Sequence, residues 1–202
     1  MTEEEARSWI VERHGPEAVA KLAAFADLLT AEAAHQNLIA PSTLDQLWAR
    51  HIVDSAQLLP LAEKAGMWLD IGTGGGFPGI VIAILRPAAI MLVEPRRRRA
   101  DFLAACARDL SLDNVSVHHG KVDGLSEEAS IISARAVAPL EKLLHVAAGC
   151  ATSRTRWLLP RGRSGAVEMI AVQQRWTGVF HVKQSLTDAE SVILVCDGPQ
   201  QR

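Results

Sequence analysis

The stretch richest in possible chemistry is Trp68-Leu69-Asp70-Ile71-Gly72-Thr73-Gly74-Gly75-Gly76-Phe77-Pro78-Gly79. An apolar run enters it, Asp70 leads in, and glycines stand at 72, 74, 75 and 76, where backbone can turn with φ > 0 and approach a ligand with no Cβ in the way. About twenty residues on, the next apolar run ends in Glu94, from which a carboxylate can accept hydrogen bonds from the two adjacent hydroxyls of a ribose. A glycine loop alone often serves only the shape of a turn; a glycine loop between two such acids describes nucleoside binding. Two ligand classes fit. A dinucleotide seats its pyrophosphate on the helix N-terminus and uses a short G-x-G-x-x-G loop with no leading acid. The pattern Asp70-x-Gly72-x-Gly74-x-Gly76 instead puts a carboxylate where the cationic amino group of a methionyl moiety could be held, directly or through water, which favours S-adenosylmethionine. Farther on, Gly120-Lys121-Val122-Asp123 falls where the adenine would lie, with Asp123 as acceptor for the exocyclic amine and a backbone N–H as donor to a ring nitrogen.

These residues need a scaffold that brings strand ends together. From Met67 onward, short apolar runs alternate with helical patterns, the signature of βαβ units and a parallel sheet. The predicted strands are Met67 to Ile71, Ile90 to Glu94, Val115 to His118, Ala129 to Ala134, Thr155 to Pro160, Val179 to Ser185 and Ser191 to Cys196. Helices fill Pro78 to Leu85, Arg97 to Leu110, Leu140 to Ala148 and Ala166 to Arg175. Only Leu186 to Glu190 separate the last two strands, too little for a crossover, so they pair as an antiparallel hairpin. Residues 1–60 read as a helical cap. Thr2 with Glu5 is a capping box, Gly15 ends the first helix, Pro16 opens the second, and its stripe of Val19, Leu22, Ala23, Phe25, Ala26 and Leu29 stops near Asn37. Ser42 with Asp45 is expected to start another helix that buries Leu44, Leu47, Trp48 and Ile52. Residues 61–202 then form the cofactor-binding domain as one compact unit.

The chain has 202 residues, 49% hydrophobic and 22% charged, which suits an ordinary globular protein with one domain and an appendage. Cys106, Cys150 and Cys196 lie far apart with no metal-ligand spacing, which excludes a disulfide framework and points to no metal. The acidic start Met1-Thr2-Glu3-Glu4-Glu5 is unlike a secretory signal, and apolar runs such as Ile80 to Leu85 fall far short of the ~20 residues that span a bilayer. A reducing cytoplasm, no membrane partner and a monomeric state are the expectation. With a formal net charge of −2, attraction for nucleic acid must come from local clusters. Arg96-Arg97-Arg98-Arg99 follows the ribose acid, and Arg154, Arg156, Arg161 and Arg163 flank the fifth predicted strand. Stacking partners for a base are few: Phe77, Trp48 and His51. The absence of tyrosine removes the commonest nicotinamide-dependent oxidoreductase. An RNA-binding module that kept the fold and lost turnover stays open as a rival.

Asn37-Leu38-Ile39, Arg50-His51-Ile52-Val53-Asp54-Ser55, the glycine loop through Gly79, and Ile132-Ser133-Ala134-Arg135-Ala136 together resemble the ribosomal RNA small subunit methyltransferase G family, also called glucose-inhibited division protein B. The resemblance spans about residues 37 to 165. It implies an α/β, Rossmann-like class I S-adenosylmethionine-dependent methyltransferase fold. The implied sheet has seven strands, mostly parallel, with a C-terminal antiparallel hairpin. It also implies methyl transfer to N7 of a guanosine in the 530 loop of 16S rRNA, free or in the small ribosomal subunit, leaving S-adenosylhomocysteine. By the family's pattern the cofactor meets Gly72, Phe77, Val122, Asp123 and Arg135, with Glu94 as the ribose acid; Asp70, Gly74 and Gly76 join them from the loop. Arg135, just past a central strand with no evident structural task, is the expected catalytic residue. Asn37, Arg50, His51, Arg96, Arg97 and Arg161 are the expected RNA contacts. One departure is Pro160-Arg161-Gly162, where the family usually has lysine and glycine; arginine is a planar fork and lysine a point charge. Guanine N7 carries a free lone pair and no proton, so its methylation needs alignment, worth roughly 7–11 kcal/mol, and no general base. The sequence offers no convincing acid–base pair.

Overall fold

The computed structural model describes residues 1–63 and 65–202. Helix α1 (Glu3–Ala33) starts as the sequence predicts: the Thr2 hydroxyl accepts from the Glu5 N–H at 3.1 Å, and the Glu5 carboxylate accepts from the Thr2 N–H at 2.7 Å. Gly15, at φ 82° and ψ 171°, interrupts the helical backbone just before Pro16, so the two predicted helices meet end to end there. Leu22, Phe25, Ala26 and Leu29 of the expected stripe are buried.

The segment after α1 departs from expectation. Ser42 does not cap an α-helix. Pro41, which lacks an N–H, opens a 3₁₀ helix (Pro41–Gln46), and a π-helix (Trp48–Val53) follows, leading into the short α2 (Asp54–Ala56) and α3 (Leu59–Ala62). The cap comes from far away. Both oxygens of Glu3 accept backbone N–H bonds, from Trp48 at 2.9 Å and Ala49 at 2.8 Å. Leu47, Trp48 and Ile52 are buried as predicted, whereas Leu44 is only half-buried.

Among the described residues, β1 (Trp68–Ile71), β2 (Ile90–Glu94), β3 (Val115–His119), β4 (Ile131–Ala134), β5 (Arg156–Arg161), β6 (Trp176–Gln184) and β7 (Val192–Gln201) form one sheet, ordered β3-β2-β1-β4-β5-β7-β6. The first five strands are parallel, and β7 runs antiparallel to both β5 and β6. The order reverses between β1 and β4. At such a switch point the connections diverge and leave a crevice beyond the carboxyl ends of the strands.

Strand alternation divides the core in two. Trp68, Leu92, Ile131, Leu158 and Ile193 pack on one face with α1, α4 (Gly79–Leu85) and α5 (Arg97–Asp109), so residues on both sides of position 60 share one cluster. Leu69, Val93, Ile132, Leu159 and Leu194 pack on the other with α6 (Leu140–Val146) and α7 (Gly165–Gln173). The hairpin strands run longer than predicted. Gly178 and Gly198, both at positive φ, break the apolar alternation from which the ends were read, while a bulge between Thr177 and Val179 lets the pairing continue.

Candidate active site

A cavity of about 620 Å³ opens beyond the carboxyl ends of β1, β2 and β4 and the turn after β3. Gly72 turns out of β1 at φ +67°, its N–H bonded to the Val93 carbonyl at 2.7 Å; a Cβ there would lie 2.6 Å from Val137. Gly74, at φ +58°, gives its N–H to Glu94 Oε2 at 2.9 Å, and the other Glu94 oxygen accepts from the Arg96 N–H, also at 2.9 Å. Glu94 therefore buckles the glycine loop to the end of β2. A carboxylate offers about four acceptor positions, so two remain on this cavity-lining group. Phe77 lines the cavity beside His51 and under Arg135, whose guanidinium carbon is 5.1 Å from the ring centroid. Val122 (buried) and Asp123 (exposed) line the cavity in the turn after β3.

Two expected loop contacts lie elsewhere. Asp70 is completely buried behind the loop and does not line the cavity. One of its oxygens accepts from Ser133 Oγ at 2.6 Å and the other from the Gly79 N–H at 3.0 Å, while Ser133 in turn accepts from Trp68 Nε1 at 2.8 Å. Burial pushes its carboxyl up to about 6, against these hydrogen bonds. The acid ahead of the loop ties β1 to β4 and to the start of α4. Gly76, at φ +99°, lies under α1, where a Cβ would be 2.6 Å from Phe25. It serves close packing.

His51 and Arg135 form the polar centre. Arg135 donates to His51 Nδ1 at 2.9 Å and to Asp54 Oδ2 at 3.3 Å. With Nδ1 occupied as an acceptor, Nε2 carries the proton and donates to Thr43 Oγ1 at 2.8 Å, and Thr43 donates to the Ala40 carbonyl at 2.8 Å. Burial, with Arg135 and Arg50 beside it, holds His51 down near a pKa of about 3, so the ring is neutral. Contrary to the sequence expectation, Arg135 has a structural task.

The expected RNA contacts separate into groups. Arg96 lines the cavity mouth, and Arg97 is exposed with Asp101 3.8 Å away. Arg50 is half-exposed and pairs with Asp188 at 3.5 Å. The Asn37 side chain is exposed, and its carbonyl accepts from Arg99. Arg161 is buried instead, its guanidinium donating to the Ala134 and Ala138 carbonyls with Glu168 3.6 Å away, so it is not free on the surface to take a phosphate. Arg156, at the amino end of β5, forks onto Asp197 with two 2.8 Å bonds and also meets Glu63, well away from the cavity. Arg99 of the expected basic cluster lines the cavity, and so do Leu38, Ile39 and Lys142, for which no site role was expected. For Leu38 and Ile39 a signal existed: two apolar residues in an otherwise polar link after the first helix stripe.

A family model described as rRNA small subunit methyltransferase G matches residues 18–192. The ribosomal RNA small subunit methyltransferase G of Sphingopyxis alaskensis is 48% identical over 201 residues, covering 97% of this chain and 86% of that protein. The protein of the same name from Zymomonas mobilis is 44% identical over 207 residues, covering 96% and 93%. Among solved structures, a methyltransferase from Geobacter sulfurreducens shares the fold at TM-score 0.62 and 12% identity, covering 86% of this chain and 89% of that one. TYW2 of M. jannaschii, solved in complex with AdoMet, does so at TM-score 0.54 and 13% identity, covering 74% and 76%.

Proposed function

The chain belongs to the rRNA small subunit methyltransferase G family, and on that premise we propose that it transfers a methyl group from S-adenosylmethionine to N7 of a guanosine in the 530 loop of 16S rRNA. The observation that carries the choice of N7 is the closed pairing of His51. Both ring nitrogens are engaged and the ring is neutral, so this cavity-lining imidazole has no lone pair free to take a proton. A site of this kind fits an acceptor that has a lone pair and no proton to lose.

The cavity volume suits a nucleoside-sized ligand. The Glu94 carboxylate is positioned to accept from ribose hydroxyls, Asp123 and the backbone at Val122 to read the adenine, and Gly72 and Gly74 to let the methionyl part pass close to the main chain. When bound, the cofactor supplies an electrophilic methyl on a sulfonium. The protein's part is positioning: Phe77, His51 and Arg135 make one packed wall whose polar atoms are already committed, so little reorganisation is needed as charge moves. Arg96 and Lys121 at the mouth, with Arg97 beyond, supply positive charge for phosphates. Among the described residues no helix is long and apolar enough to cross a membrane. The reading puts the work in the cytoplasm, on 16S rRNA or the small subunit, by a monomer without a metal.

The test is transfer of labelled methyl from S-adenosylmethionine to 16S rRNA or small subunits lacking the modification, with the product mapped by cleavage at 7-methylguanosine. Label at one guanosine of the 530 loop is the expected result. Cofactor binding without label would point to a non-catalytic RNA-binding role, and no cofactor binding would overturn the reading of the glycine loop.

A further inference from the structure

A second cavity, of about 200 Å³, opens next to the first and shares Arg135 and Ala136 with it as a common wall. Its other faces include Asp54, Pro160, Arg161, Ser185 and Val192. We propose that this smaller cavity receives the guanine that is methylated, with the Asp54 carboxylate accepting from the 2-amino group of the base. The assignment rests on the methyl-transfer reading above and adds to it the acceptor pocket and the residue that selects guanine.

Three observations carry it. First, the two spaces adjoin at Arg135 and Ala136, which brings a ring held in one beside a cofactor held in the other. Second, Asp54 is placed to read and to stay still. Its Oδ1 accepts from Gln57 Nε2 at 2.9 Å and from Thr187 Oγ1 at 3.0 Å, which fills that oxygen; its Oδ2 accepts from Arg135 at 3.3 Å and keeps one position open. The open position selects guanine because, of the four RNA bases, guanine alone carries an amino group at C2, on the edge opposite N7. Third, the link between β6 and β7 holds two arginines by their charge: Asp188 pairs with Arg50, and Glu190 with Arg163. Both arginines are exposed at least in part beside the pocket, and RNA phosphates can take the place of these carboxylates.

The chemistry favours a carboxylate here. As the N7 lone pair bonds to the methyl carbon, the carbon–sulfur pair goes to sulfur, the sulfonium becomes a neutral thioether, the purine becomes a cation, and no proton is released. A cationic ring makes its 2-amino group a stronger donor, so the bond to Asp54 strengthens in the transition state.

The experiment compares 16S rRNA bearing guanosine or inosine at the target, since inosine lacks only the 2-amino group. Wild-type protein should methylate the inosine RNA about tenfold to a hundredfold more slowly, the worth of one hydrogen bond to a charged acceptor. Asp54→Asn should methylate both slowly and at similar rates, with cofactor binding unchanged. Equal wild-type rates on the two RNAs, or an Asp54→Asn variant that still discriminates as the wild type does, would overturn the assignment. Should Asp54→Asn fail to fold, Ser191→Phe, which narrows the same pocket, should keep cofactor affinity and lose transfer; unimpaired transfer would sink the proposal. If wild-type protein labels no 16S guanosine at all, the methyl-transfer reading itself falls, which separates the two failures.

Discussion

Replacing Asp70 by asparagine isolates a single buried proton. The Asp70 carboxyl titrates at about 6 in the folded chain against an ordinary 3.8, because burial disfavours its charge more than Ser133, Thr73 and Gly79 favour it. Between pH about 4 and 6 the folded chain therefore keeps a proton that the unfolded chain has released. Stability must fall as pH rises through this window, by ~1.4 kcal/mol per pH unit, or ~3 kcal/mol in all, and level off above about 6. Asparagine fits the site: its carbonyl can accept from the Gly79 N–H, and its amide can donate to Ser133 Oγ. Urea unfolding of wild type and Asp70→Asn at a series of pH values from 4 to 7 gives the difference in stability directly, provided the m-values agree. The variant should gain on the wild type by ~3 kcal/mol across the window and hold that gain at neutral pH. A difference that stays constant from pH 4 to 7 would refute the reasoning, because Asp70 would then titrate alike in both states.

His51 gives the mirror image. Held near a pKa of about 3 against 6.5, it adds stability above pH 6.5 that is lost as pH falls, so His51→Gln should flatten acid destabilisation below pH 6.5 in the same unfolding series. Glu94→Ala leaves the Gly74 and Arg96 N–H groups without their acceptor, at ~1–3 kcal/mol each, and should weaken S-adenosylmethionine by ~1.5–3 kcal/mol; calorimetry and equilibrium dialysis read the two losses separately. Arg135→Ala strands Asp54 and His51 Nδ1, so methyl transfer should vanish and Tm fall together; NMR titration should also find the His51 pKa raised once the neighbouring cation is gone. Arg161→Met should leave the salt slope of RNA binding unchanged because the guanidinium is buried, whereas Arg96→Ala should reduce it by about 1; a fall for Arg161→Met would show that the side chain reaches RNA.

The sheet was legible because apolar runs with period 2 and turn residues at their ends report local geometry. Each of the seven predicted strands has its counterpart, and the short Leu186 to Glu190 link foretold the antiparallel pair. The Trp48 to Val53 stretch was not legible as a π-helix, because the group that caps it, Glu3, lies far away in sequence. Residue type also misled where burial decides the outcome. Asp70 has the type and place of a ligand acid, and Arg161 those of an RNA contact, but each is enclosed by partners that only the folded chain supplies. Glu94 was readable because it ends β2 beside the glycine loop, at the switch point where the crevice opens.

The Glu3 clamp carries a consequence for the order of assembly. A single wide turn such as Trp48 to Val53 has poor intrinsic stability, and its first two N–H groups find their acceptor only when the start of α1 has docked, 45 and 46 residues upstream. The imidazole at position 51 is thus set in place by closure of a long loop, a slow and cooperative event compared with forming α1 itself. Nascent chains that have made α1 alone would still lack the placed imidazole, whose setting waits for the start of that helix to dock on the turn 45 residues on.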